Sequence, residues 1–149
     1  MKARGIWHPW RHLAHHHPHI SVRYADLPDG MYGYTDFAAG EVVLERSLLQ
    51  VERRCTVTHE DIHLHRGPVP SDPHLRQKEE TIVDGIAARR LVSLGELIEA
   101  LLLSDHPREV ADQLWVDVPT LRTRIAGLAA AERDAIEERL QASENWGIA

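Results

Sequence analysis

The chain has a single cysteine, Cys55, among its 149 residues. That excludes an internal disulfide and any cysteine-built metal site, and it fits a reducing compartment. Nowhere is there a run of the roughly eighteen apolar residues a membrane-spanning helix needs. Residues 1–20, broken by His, Arg and Pro, lack the apolar core of a signal peptide. A cytoplasmic protein with no membrane association is expected. An excess of positive charge is missing too. Residues 93–149 carry five arginines against eleven acids, so the whole net charge of −6 falls in that stretch and residues 1–92 balance. This is the wrong sign for holding a phosphate backbone, so direct nucleic-acid binding is not expected.

What is present supports one domain: hydrophobic residues make up 43% of the chain, enough for a real core. Residues 1–18, dense in Trp and His, read as a short helix or irregular arm. His12, His15, His16, His17 and His19 crowd there without a defined ligand spacing, so they are expected to face solvent or pack. Alternation at Ile20, Val22 and Tyr24, a Pro28-Asp29-Gly30 turn, residues 31–36 and residues 41–45 predict a small three-stranded antiparallel sheet. Helical signals follow. Ser47 can cap a helix to about Leu64, on which Val51, Cys55, Thr58 and Ile62 form an inward stripe that buries the Cys55 thiol. After a Gly67/Pro68/Pro70/Pro73 loop, helices are expected over residues 75–92, 94–103, 107–114, 119–128 and 130–142. The expected class is α+β: a zincin-like catalytic core with its arm over residues 1–92, and an acidic helical segment, 93–149, packed on it.

The segment His59-Glu60-Asp61-Ile62-His63 reads His-Glu-x-x-His. On a helix the two imidazoles project from one face, where both can ligate one zinc ion, and Glu60 lies about 100° round, where it can polarise a zinc-bound water. With 11 His and 13 Glu, a shuffled chain would give about 0.07 such matches, so the neighbouring sequence has to decide.

Glu80 and Asp84, four apart on the next helix, share a stripe with Val83, Ala87 and Leu91 and are expected to point inward. A buried carboxylate needs a partner. Zinc supplies one for Glu80: two His and one Glu, with a position open for water, is the ligand set of catalytic zinc. Asp84 can accept the free ring N–H of a ligating histidine. Alternatives stand beside these: Glu79 or Asp84 as third ligand, a salt bridge from Glu80 to Lys78 or Arg76, and Arg89 as the partner of Asp84.

Residues 40–92 resemble the ImmA/IrrE-type metallopeptidases, in which a β-strand leads to a His-Glu-x-x-His helix and then to a helix carrying Glu-x-x-Ala-Asn-x-Phe-Ala. The corresponding stretches here are Val42-Val43-Leu44, Arg53 through His63, and Glu80-Thr81-Ile82-Val83-Asp84-Gly85-Ile86-Ala87. The resemblance implies a gluzincin-like fold, zinc on His59, His63 and Glu80, Glu60 as general base, and a transcriptional repressor as the protein substrate. Asp61 and Asp84 depart from the usual apolar residue and Asn. Glu-x-x-x-Asp is also the pattern of thermolysin-like enzymes, with Asp behind the ligands. Gly85 costs about 1 kcal/mol of helix propensity against Ala and would allow close helix packing.

A donor for the tetrahedral oxyanion is chemically available from Tyr32, Tyr34, His65, His74 or His106. Residues 110–128 invite a different class, because Ala111, Leu114, Val116, Leu121 and Ile125 have helix-turn-helix spacing and Thr120, Arg122 and Arg124 could imitate a recognition helix. The alternative to an enzyme is therefore a regulatory or interaction protein with a structural zinc or a DNA-binding helix pair.

Overall fold

The computed structural model describes residues 7–146; the rest of the expected N-terminal arm, residues 1–6, lies outside them. In chain order the elements are α1 (Pro9–His16), β1 (Ser21–Ala25), β2 (Gly33–Asp36), β3 (Glu41–Glu45), α2 (Gln50–Arg66), α3 (Pro73–Leu91), α4 (Leu94–Leu103), α5 (Pro107–Leu114), α6 (Val118–Ala126) and α7 (Ala130–Trp146). The class is α+β and mostly helical. No helix among the described residues is long and apolar enough to cross a membrane.

The sheet corrects one expectation. Its order is β1-β3-β2, and β1 runs parallel to β3 while only β2 is antiparallel to it. Alternation fixes which side chains share a face but not which strands become neighbours. The Pro28-Asp29-Gly30 segment does not close a hairpin; the hairpin is β2–β3, turned at Gly40, whose φ of 68° lies in the left-handed region. β3 is thus the central strand, and Val42, Val43 and Leu44 are fully buried. Val42 and Leu44 pack with Leu13 of α1 and Val57 of α2.

Helix α2 runs through the middle of the molecule, against α1, the sheet and α3. Cys55 through Thr58 and Glu60 through His63 are all buried, so burial exceeds the single stripe that periodicity predicts. Polar side chains inside such a helix need partners, and most have them: Thr58 Oγ1 donates to the Arg54 carbonyl at 2.9 Å and accepts from Trp7 Nε1 at 3.0 Å. The start of α2 departs from expectation. Ser47 turns back to the Glu45 carboxylate, and it is Glu52 that accepts from the Leu49 N–H, at 2.9 Å.

The later helices begin where caps and prolines dictate. Asp72 accepts from the backbone N–H groups of His74 and Leu75 ahead of α3, Ser93 and Glu96 form a reciprocal box on α4, and Asp117 accepts from Thr120 on α6. Their apolar faces form the largest core cluster, in which Leu91 and Val92 at the end of α3 and Cys55 of α2 pack with Leu97, Val110, Leu114, Leu121 and Ile136. Residues 93–146 therefore share a core with the helices that carry the motif. Gly85 is not used for close packing, since a Cβ there would meet nothing within 4 Å.

Candidate metal centre

Helices α2 and α3 pack together and bring the two halves of the motif face to face. His59 Nε2 lies 3.0 Å from His63 Nε2 and 2.9 Å from Glu80 Oε2, and His63 Nε2 lies 3.1 Å from Glu80 Oε1. His59, His63 and Glu80 form the group of metal-ligating side chains that converges among the described residues. The donor chemistry and spacing could hold a metal ion. Ligand bonds of about 2.0 Å in a tetrahedron place neighbouring ligand atoms about 3.3 Å apart, close to the edges of this triangle. Two imidazole nitrogens and a carboxylate oxygen meeting at one point also have more lone pairs than protons to share, which a cation resolves.

The flanking contacts bear on the alternatives left by the sequence. His59 Nδ1 lies 3.0 Å from Asp84 Oδ1, which holds the ring with Nε2 toward Glu80. Glu79 is turned away to Arg66, and Arg76 donates to the Pro70 carbonyl. Arg89 pairs with Glu132 rather than with Asp84. Both carboxylates are more open than expected: the Asp84 side chain is 55% exposed and that of Glu80 34%. Asp84 lines a cleft where the stripe of apolar neighbours suggested an interior. His63 Nδ1 is buried without a hydrogen-bond partner among the described residues.

Charge at this point is held by the carboxylates. Burial disfavours an imidazolium at His59, but hydrogen bonds to Asp84 and Glu80 and the charge of Glu60 outweigh it, and its pKa is pushed up to about 10. The His59 hydrogen bond in turn lowers the pKa of Glu80. These carboxylates favour positive charge at this point, which a proton on His59 or a cation in its place supplies.

Glu60, 5% exposed, accepts a hydrogen bond of 2.6 Å from Thr35 Oγ1 on β2. Its carboxylate joins His59 and Asp84 in the wall of a cleft of about 640 Å³. The other walls are the 28–33 segment, Cys55 and Thr56 of α2, Ala87 and Leu91 of α3, and Asp117, Pro119, Thr120 and Thr123 at the start of α6. Of the five oxyanion candidates, Tyr32 lines this cleft. Tyr34 faces the opposite side of β2, paired with Val43, and His65, His74 and His106 are exposed elsewhere. Cys55 is buried as expected, and burial raises its thiol pKa.

Sequence reasoning missed Thr35 and the contribution of α6. Thr35 carried a faint signal, a hydroxyl on the helix-facing side of a strand. The α6 residues carried none, because only tertiary packing brings them to the cleft.

Asp61 is the other finding. Its side chain has no exposure and meets His12 Nδ1 at 2.6 Å, Arg90 Nη1 at 3.4 Å and His17 Nε2 at 3.6 Å. Arg90 also lies over the Trp7 ring, 5.6 Å from its centroid. His12 and His17 thus face a buried carboxylate, whereas His15, His16 and His19 are exposed. Burial lowers the pKa of His12, against the pull of Asp61.

The helix-turn-helix reading meets a different outcome. Helices α5 and α6 pack together, with Trp115 in the left-handed region between them at φ 55°. Thr120 lines the cleft, and Arg124 is buried, donating to the Val92 carbonyl at 2.8 Å and to Glu132 at 3.2 Å. Of the three recognition-helix imitators only Arg122 is exposed. Comparison with protein-family models, with curated proteins and with solved structures finds no match for the chain.

Proposed function

We propose that this chain is a zinc-dependent endopeptidase. The observation that carries the reading is the convergence of His59, His63 and Glu80 within 4.8 Å of one another, with Glu60 beside His59 in the wall of a cleft. Zinc held there would polarise a scissile carbonyl and bring the pKa of a water to about 7. Glu60 accepts the proton of the attacking water and returns it to the leaving amine. Asp84 keeps the His59 ring oriented, and Tyr32, a lining residue of the cleft, is the donor we assign to the oxyanion.

A peptide suits the cleft because it lies between the 28–33 segment, which leads into the edge strand β2, and the start of α6. The resemblance of the two motif helices to ImmA/IrrE-type metallopeptidases supports the same class and suggests a regulatory protein, such as a helix-turn-helix repressor, as substrate. The buried Arg124 and the cleft-facing Thr120 weigh against operator binding by α6.

The test is cleavage of a proteome-derived peptide library by zinc-loaded chain, read as new N-termini by mass spectrometry. Wild type should cut internal bonds, and Glu60→Gln should hold zinc yet cut at least a hundredfold more slowly, in line with the roughly 10²–10⁴-fold worth of a positioned general base. Undiminished cutting by Glu60→Gln would refute the mechanism.

A further inference from the structure

The orientation of Glu60 is not left to α2 alone. Gly33 and Thr35 both turn toward α2 from β2, two residues apart, and they meet Thr56 and Glu60, one helical turn apart. A Cβ on Gly33 would sit 2.8 Å from Thr56 Cγ2 and 2.9 Å from the Val43 carbonyl oxygen, so only glycine lets the strand come down onto the helix here. Thr35 Oγ1 then reaches Glu60 Oε2 at 2.6 Å. The spacings match: two residues of strand advance about 6.6 Å and four residues of helix about 6.0 Å. β2 is therefore docked on α2 at two points in register, and the second of them is the carboxylate of the proposed base.

We infer that Thr35 is a positioning residue for Glu60, held in place by the close approach of β2 at Gly33; this rests on the peptidase reading. A glutamate has three rotatable bonds, and a base that must meet one water in one direction gains from having them fixed beforehand. A hydroxyl suits the task better than a cation. It donates to the carboxylate and, by rotating, accepts from the carboxylic acid, so it holds Glu60 both before and after the proton is taken. A lysine or arginine there would stabilise only the charged form and suppress basicity.

The probe is acetohydroxamate, which binds zinc through two oxygens and donates a hydrogen bond to a carboxylate beside the ion. Its affinity for the zinc-loaded full chain is measured by calorimetry, with zinc content and thermal midpoint recorded for every variant. Thr35→Val should bind it about three- to tenfold more weakly, the effect of having to immobilise one free side chain. Zinc content should be unchanged, and Thr35→Ser should return to within twofold of wild type. Gly33→Ala should weaken binding similarly although the Thr35 hydroxyl is still present. If Thr35→Val does not fold, Thr35→Ala, which only removes atoms, makes the same comparison. Wild-type affinity in Thr35→Val together with weakened binding in Glu60→Gln would overturn the positioning role and leave the peptidase reading standing. Unchanged affinity in Glu60→Gln, or no binding by wild type, would overturn both.

Discussion

His12 Nδ1 stands 2.6 Å from Oδ2 of Asp61, a carboxylate without solvent exposure that α2 carries between the two histidines of the metal group. The arm before the sheet is thereby tied to the back of the helix whose front carries the site. Removing one partner of a buried ion pair leaves a charge without compensation, which costs about 3 kcal/mol or more. Arg90→Ala should destabilise the chain on that scale in urea denaturation, because it leaves the Asp61 carboxylate, without exposure, facing only the two histidines, and uncovers the Trp7 ring ahead of α1. A loss of under 1 kcal/mol would show that the cluster does not hold α1 in place.

The C-terminal helices are expected to unfold together with the motif helices, since Leu91 and Val92 share one cluster with Leu97. Leu97 is fully buried. Leu97→Ala should cost about 2–5 kcal/mol and lower the midpoint of a single transition. Two separated transitions, of which only one shifts, would show two independent units.

Stability in acid should report on Glu132. Hydrogen bonds from Arg89 first, then from the Ala129 N–H and Arg124, hold its pKa at about 2 instead of 4.5. A carboxylate depressed on folding contributes stability that is full above its unfolded pKa and is lost as pH falls through the folded value. The contribution is therefore present above pH 4.5 and fades down to about pH 2. Glu132→Gln should be less stable at neutral pH and should show a flatter urea midpoint across that window. An identical pH dependence in the two proteins would refute the assignment.

The support behind the ligands should appear in affinity. Asp84 touches His59 Nδ1 and not the converging nitrogens, so Asp84→Ala should keep the zinc site but weaken it by about 10–100-fold. Competition with a chromophoric chelator measures this. Unchanged affinity would show that the exposed carboxylate does not orient the ring.

Much of this arrangement is legible in the sequence, for identifiable reasons. His59, His63 and Glu80 can be read because a metal demands particular ligand types at spacings a helix imposes, and helical periodicity is a local property. The starts of α5 and α6 can be read from Pro107 and Pro119, whose rings fit the first turn of a helix, whereas Pro73, which opens α3, reads as part of the loop before it. The parallel pairing of β1 with β3 is not legible, because strand alternation is silent about neighbours. Nor is the role of Asp61 legible: an acid inside the motif looks like a departure until His12, His17 and Arg90 arrive from two other helices or their flanks. Thr120 and Thr123 read as polar positions on an exposed helix, and only the packing of α6 on α3 turns them into a cleft wall.

The central claim is that His59, His63 and Glu80 together hold a catalytic metal. Zinc content by mass spectrometry, after dialysis of wild type beside Glu80→Ala, tests it most directly. Wild type should retain one zinc per chain, and Glu80→Ala should lose most of it while remaining folded. A wild-type chain that retains no zinc, or a Glu80→Ala chain that retains as much as wild type, would contradict it.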